Sequence, residues 1–159
     1  METKTTSETN TAALPKVAEA LNQLLADSYA LMAQTHLAHW NVEGTDFFQL
    51  HEAFQAQYEE LFAAIDELAE RVRALDFYAA GGIRTLGEKS TLQEGPSESA
   101  CPAKDFVASL IEGNEICVAS AITARDIAAE SSDTETEDII IARIQTHQKT
   151  LWFLRSYLK

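Results

Sequence analysis

Three of the four histidines in this sequence lie close together, and two carboxylates follow them at helical spacing. His36, His39 and His51 fall within sixteen residues, while Asp66 and Glu70 are four positions apart and share one face of a helix. Imidazole together with carboxylate is a ligand set that suits iron, manganese or zinc and fits soft metals poorly. The residues that could do chemistry in this chain therefore indicate a transition-metal site.

The spacing of these candidate ligands restricts how they can meet. On a straight helix with about 100° per residue, His51, Asp66 and Glu70 fall on one continuous stripe. His51 and Asp66 are 15 residues apart, or about 22 Å along the axis, whereas metal–ligand bonds are only about 2 Å long. If they bind one metal, the carboxylates must come from a second chain, antiparallel across a two-fold axis near Tyr58 and Glu59. The predicted site therefore belongs to a dimer.

The elements that must position these residues are helical, because apolar side chains recur at helical spacing in four long segments. A single longer connection, residues 77–101, separates the second segment from the third and contains a predicted short helix. Four long helices connected in this way are typical of a ferritin-like four-helix bundle, so the predicted fold class is all-α. Residues 1–13 are predicted to be a flexible polar tail and residues 14–159 the single domain. The first helix is predicted from Pro15 to the break at Asn41–Gly44, and the second from about Phe47, capped by Asp46, to Asp76. The short helix is predicted at Ile83–Lys89. The third long helix is predicted from near Pro102 to the break at Ser131–Asp133, and the fourth from that break to the end of the chain.

Charge and composition restrict the possible partners. Twelve Lys and Arg against 25 Asp and Glu give a formal charge of −13, which repels phosphate backbones and attracts cations. The two cysteines form no Cys-x-x-Cys pattern, and we identify no basic and apolar leader, so we expect a reducing, cytoplasmic location. No apolar run approaches the roughly 18 residues that span a bilayer, so we expect no membrane association.

Four motifs together resemble the Dps family, the "DNA-binding proteins from starved cells", which are mini-ferritins. The likeness extends over nearly the whole chain outside the tail, and includes the helical order and the mid-chain crossover. It implies a hollow dodecamer built from two-fold dimers, with an iron site between paired subunits. Such proteins oxidise Fe(II), preferentially with hydrogen peroxide, and store Fe(III) as a mineral, which protects against oxidative damage. The motifs are His39-Trp40-Asn41-Val42-x-Gly44, Phe48-x-x-His51, Tyr58 and Asp66-x-x-Ala69-Glu70-Arg71.

The resemblance also implies a role for each matching residue. His39 and His51 are expected to bind metal from one subunit, and Asp66 and Glu70 from its partner. Two irons per site are possible, and zinc can substitute for iron. Trp40 matches the family's tryptophan beside the site, where an oxidisable ring can intercept one-electron by-products.

Two regions bear on how cations reach and occupy this site. Gln55 stands where many family members carry an acid, and its neutral amide predicts weaker binding of a second iron. The acids at the start of the last helix have an ordinary role as partners of the helix dipole. They also match the position of the family's pore-lining acids, with Asp133 and Asp138 as the candidates.

Three other readings of the sequence remain open. A ferritin with a di-iron site inside each bundle would use Glu-x-x-His pairs, but no histidine here has Glu three positions before it. A nucleoid-packing protein with a vestigial metal site would need a basic tail, whereas residues 1–13 carry Lys4 against Glu2 and Glu8. We therefore expect weak or absent DNA binding. In a purely structural bundle, the histidines and acids would only pack or face solvent, as we expect for His36 and His147.

Overall fold

The computed structural model describes residues 10–95 and 101–159, and every regular element in these ranges is helical. The long helices α1, α2, α4 and α5 form a bundle, and the short helix α3 lies in the crossover between α2 and α4. This confirms the predicted ferritin-like architecture. The helices are α1 (Leu14–Asn41), α2 (Phe47–Ala74), α3 (Ile83–Lys89), α4 (Ala103–Glu130) and α5 (Thr134–Tyr157).

The bundle is held together by apolar stripes that repeat every three to four residues. Helix α1 packs against both α2 and α4, and α4 packs against α5. Leu21 and Leu24 of α1, Phe54 and Leu68 of α2 and Leu110 of α4 are fully or almost fully buried. Burying each such side chain stabilises the fold by about 1.5–3 kcal/mol. Because α1 and α2 share this core, the end of α1 and the start of α2 lie close together.

Helix α4 is the most apolar long helix. By length and composition it could cross a membrane, which the sequence-based expectation of no such segment did not anticipate. In the bundle it packs between α1 and α5 and buries Phe106, Val107 and Leu110. Core helices of this kind satisfy the same criteria as membrane-spanning ones.

A buried carboxylate ties the crossover to the bundle. Asp27 of α1 is 0% exposed, and its Oδ1 accepts hydrogen bonds from the Thr91 backbone N–H at 2.7 Å and the Ser90 hydroxyl at 3.0 Å. Its Oδ2 accepts from the Ser120 hydroxyl of α4 at 2.6 Å. A buried carboxylate needs such donors to replace water. These bonds therefore fix the segment after α3 against α1 and α4.

The ends of the elements differ in places from the sequence prediction. Asp46 occupies the N-cap position of α2 without capping it, because its Oδ2 accepts instead from the Tyr157 hydroxyl at 3.0 Å. The predicted cap at Asp46 is therefore wrong. Thr11–Ala13, predicted as part of the tail, form a 3-10 turn, and residues 1–9 of that tail lie outside the described residues.

Candidate metal centre

The structure brings His39 and His51 together across the short connection between α1 and α2. The imidazole rings stack with centroids 3.7 Å apart. Nδ1 of His39 lies 2.8 Å from the backbone oxygen of His51, and Nδ1 of His51 lies 2.9 Å from the backbone oxygen of His39. Since a carbonyl oxygen only accepts, each Nδ1 carries a proton and donates it, so Nε2 is the nitrogen that carries the lone pair in the neutral form of each ring. This is the arrangement that metal-ligating histidines usually adopt.

Aromatic neighbours hold this histidine pair in place. Phe47, at the start of α2, stacks on His51 with ring centroids 5.0 Å apart, and the Tyr58 ring meets the edge of His39 at 5.2 Å. His39 is buried and His51 is half-buried. The two rings are therefore fixed before any metal binds.

The predicted carboxylate ligands lie elsewhere on the same chain. Asp66 and Glu70 are exposed on α2, where they line an open groove of about 380 Å³ together with Glu60, Glu67 and Arg143. Within the described residues of one chain, no group of three or more His, Cys, Asp and Glu side chains lies close enough to hold a metal ion. One subunit thus presents two imidazoles on one part of its surface and two carboxylates on another.

Comparison with known proteins identifies the family. A ferritin-like domain model matches residues 18–159. The DNA protection during starvation protein 2 of Bacillus anthracis is 32% identical over 143 residues, which cover 90% of this chain and 97% of that protein. The Dps structure from Vibrio cholerae, described as a member of a superfamily of ferritin-like diiron-carboxylate proteins, aligns with a TM-score of 0.89 and 30% identity over 94% of this chain and 92% of that one. The chain belongs to the Dps family.

Other relatives agree with this assignment. An uncharacterized low temperature-induced protein of Nostoc is 34% identical over 144 residues, which cover 90% of this chain and 80% of that protein. Dps from Thermosynechococcus elongatus aligns with a TM-score of 0.88 and 29% identity over 94% of both chains. The resemblance inferred from the motifs is therefore confirmed, and the whole bundle of this Dps subunit takes part in it.

Trp40 of this Dps subunit stands on the surface beside the histidine pair. Its side chain is 66% exposed, and its ring lies parallel to the His36 ring with centroids 5.2 Å apart. His36 in turn lies 4.1 Å from the Tyr58 ring. Burial, and then the charge of His39, lower the pKa of His36. His36 thus packs between two aromatic rings, next to the His39–His51 pair rather than within it.

Gln55 is one turn after His51, at the position where the family resemblance predicts an acid. Its Nε2 donates to Oε1 of Glu59 at 2.8 Å, and both side chains are exposed. The amide nitrogen is therefore engaged, so the oxygen is the end of the Gln55 side chain that can still meet a cation.

The two predicted pore acids of this Dps subunit have very different surroundings. Asp133 is 1% exposed; its carboxylate accepts from Arg71 at 2.7 Å, from the Thr136 hydroxyl at 2.6 Å and from the Thr136 backbone N–H at 3.2 Å. It therefore caps α5 and joins that helix to α2. Asp138 is exposed on the next turn of α5. The pore role of both acids stays a prediction, and Asp138 is the one whose carboxylate faces solvent.

Sequence reasoning missed a polar cluster inside the bundle. Arg143 and His147 lie one turn apart on α5 and are 4% and 2% exposed. They contact Glu60 of α2 and Asn114 of α4. The signal available in the sequence was a pair of polar residues, four apart, on the apolar face of a helix.

Proposed function

We propose that this Dps subunit oxidises Fe(II) with hydrogen peroxide, or with oxygen, at sites between two-fold related subunits and sequesters the Fe(III). The observation that carries this proposal is the pair of reciprocal hydrogen bonds between His39 and His51. They leave two neighbouring Nε2 lone pairs available and fix both rings before metal binding.

The partner subunit completes each site. His39 and His51 bind Fe(II) from one chain, and Asp66 and Glu70 bind it from the antiparallel neighbour. Their negative charge stabilises iron as it becomes Fe(III), and open coordination positions admit the oxidant. Two Fe(II) ions each give one electron to one hydrogen peroxide; with two protons, the products are two Fe(III) ions and two waters. No hydroxyl radical is formed when both electrons reach the same peroxide.

The residues around the site adjust this chemistry. Trp40, exposed beside the histidine pair, intercepts oxidising by-products that escape as single-electron species. Gln55 offers a neutral oxygen where an acid would bind iron more strongly, so the second iron is held more weakly than the first. Zinc, which also accepts imidazole and carboxylate ligands, can occupy the first position.

The proposed assembly is a dodecamer of two-fold dimers that works in the cytoplasm. A formal charge of −13 per subunit concentrates cations at the shell and repels nucleic acid. Asp138 and its symmetry mates line the paths by which Fe(II) enters. The name of the Bacillus anthracis relative refers to DNA protection; in this chain, protection comes from removal of iron and peroxide rather than from contact with DNA.

A complementation experiment tests whether the site is shared between subunits. His51→Ala and Asp66→Ala each remove one half of every site, so either variant alone should oxidise Fe(II) with peroxide far more slowly than wild type. In dimers formed by unfolding and refolding an equal mixture, half should be mixed dimers with one intact site. The mixture should thus recover about a quarter of the wild-type rate.

The outcomes separate the proposal from its rivals. His36→Ala is the matched control, because His36 lies one turn from His39 and has no assigned ligand role, so its rate should stay near wild type. Recovery of no activity in the mixture would mean that the histidines and carboxylates do not share a site. Full activity in both single variants would mean that the bundle is only structural.

A further inference from the structure

The bundle core contains a buried positive charge that the proposed function does not use. Arg143 of α5 is 4% exposed, and its two terminal nitrogens both donate to the carboxylate of Glu60 on α2, one of them at 3.2 Å. The same nitrogen, Nη2, lies 3.3 Å from Nε2 of His147. The Glu60 side chain is 41% exposed, so a half-exposed carboxylate from α2 and a buried imidazole from α5 meet at one guanidinium.

A chain of hydrogen bonds determines which way His147 faces. The Asn114 amide nitrogen donates to the Leu110 backbone oxygen at 2.7 Å, which directs its Oδ1 toward His147. Nδ1 of His147 lies 2.8 Å from that Oδ1 and donates to it, so Nε2 keeps a lone pair that accepts from Arg143. Burial, and then the charge of Arg143, lower the pKa of His147 to about 3. His147 is therefore neutral, with its lone pair directed at the guanidinium.

This arrangement has two of the donors that a metal site needs, one carboxylate and one imidazole, with an arginine between them. Ferritin-like bundles that bind metal in their core do so with carboxylates and imidazoles projecting inward from facing helices. Histidine ligands donate their other ring N–H to an oxygen that holds them in orientation, as His147 does to Asn114. Glu60 and His147 also offer the oxygen and nitrogen donors that zinc and cobalt accept.

We propose that Arg143 fills a latent divalent-metal site between α2 and α5, where the bundle core meets the groove lined by Glu60, and thereby keeps metal out of it. The guanidinium supplies the positive charge that Glu60 and His147 would otherwise obtain from a metal ion. Oxidation of iron is then restricted to sites outside the bundle. The proposal concerns binding inside one subunit and does not depend on the ferroxidase activity.

Cobalt titration of a cavity variant tests this proposal. Arg143→Ala should expose Glu60 and His147 to an incoming ion, and Co(II) reports its own coordination through its visible absorption. The titration is made in a His51→Ala/Asp66→Ala/Glu70→Ala background, which removes both halves of the proposed site between subunits. We expect one additional Co(II) per subunit on adding Arg143→Ala, and an affinity at least about 10-fold lower when Asn114→Leu removes the residue that orients His147.

A matched variant decides whether the new ion lies in the core. Adding His147→Leu to Arg143→Ala should abolish the additional Co(II). The proposal is wrong if the Arg143→Ala variant binds no more Co(II) than its parent, or if the additional binding persists without His147. A parallel titration uses protein in which the proposed site between subunits is intact. Loss of metal binding between subunits can therefore be distinguished from absence of binding beside Glu60 and His147.

A second variant covers loss of folding. Arg143→Met keeps an unbranched side chain in the core but removes the charge. Should Arg143→Ala fail to fold alone, it is refolded with Zn(II), and Arg143→Met is titrated in its place. Folding rescued by Zn(II), or additional binding by Arg143→Met, supports the latent site. The absence of both folding rescue and additional binding would contradict it.

Discussion

At the scale of single residues, the same kind of hydrogen bond fixes the ring orientation of three of the four histidines. His39, His51 and His147 each donate Nδ1–H to a carbonyl or amide oxygen, which leaves Nε2 as the acceptor nitrogen. What differs is the partner of Nε2: that of His147 accepts from the Arg143 guanidinium, whereas those of His39 and His51 are the proposed metal-binding atoms. The surroundings of each imidazole, rather than its residue type, therefore decide between a ligand and a structural role.

The burial of His147 predicts a stability that depends on pH. Its pKa falls to about 3 in the folded chain, below the unfolded value of about 6.5. The contribution of neutral His147 to the free energy of unfolding is therefore fully present above about pH 6.5. It is lost as the pH falls from there toward 3, because the histidine of the unfolded chain takes up the proton first. Between pH 7 and pH 4 we expect His147 to account for a loss on the order of 3 kcal/mol in the free energy of unfolding.

Urea unfolding of wild type and His147→Gln over this pH range measures that contribution. Glutamine can donate to Asn114 but does not titrate, so the variant should lose much less stability on acidification, whatever its stability at pH 7. His36→Gln is the control, since His36 is only half-buried. If the free energy of unfolding falls equally with pH in wild type and in His147→Gln, His147 is not the cause of the acid sensitivity.

The sequence revealed the His39–His51 pair but not the cluster around His147, because only the first lies in motifs with a recognisable spacing. His39 and His51 stand in motifs whose spacing could be compared with that of Asp66 and Glu70. The bonds of His147 reach 33 residues back to Asn114, and those of Arg143 reach 83 residues back to Glu60. Such pairings depend on how the helices pack, so single-sequence periodicity does not show them.

At the scale of elements, most helix boundaries were predictable, and the exceptions have a tertiary cause. The Gly44 break and the predicted short helix Ile83–Lys89 agree with the structure, and α2 ends two residues before the predicted Asp76. The Asp46 cap failed because Tyr157, 111 residues away, takes its carboxylate. Local pattern thus predicted the elements, while contacts between distant elements altered their ends.

The start of α5 offers a prediction that separates a cap from a pore. Asp133→Ala removes a helix cap and the buried partner of Arg71, so it should lower the free energy of unfolding by about 3 kcal/mol. Asp138→Ala, at an exposed position of the same helix, should leave stability nearly unchanged and slow the uptake of Fe(II).

Urea unfolding and stopped-flow iron oxidation together check this pair. Slower uptake that is confined to Asp138→Ala would support its place on the entry path. An Asp133→Ala variant as stable as wild type would contradict the capping role derived from the geometry.

At the scale of the whole molecule, the strong negative charge predicts poor binding to DNA. The formal charge is −13 per chain, and residues 1–13 contain two acids and one lysine. Binding to phosphates grows with the number of positive charges that contact them. We expect no retardation of duplex DNA in a gel shift, even at low salt.

A charge-reversed tail is the matched variant for this experiment. Glu2→Lys/Glu8→Lys leaves three lysines and no acid among residues 1–13, and many copies on one assembly should act together. That variant should retard DNA in a manner that weakens as salt is added. Retardation by the wild type would instead favour a nucleoid-packing role.

The division of ligands between α1–α2 of one copy and α2 of another has a consequence for when catalysis can begin. Under the proposed arrangement, a single unpaired subunit contains both halves of a site, the histidines and the carboxylates, but no complete site. Redox activity then rises with the square of subunit concentration while pairing is incomplete. Iron would then be oxidised by peroxide only where subunits are assembling into the shell that retains the Fe(III). An unassembled chain would have no ferroxidase activity.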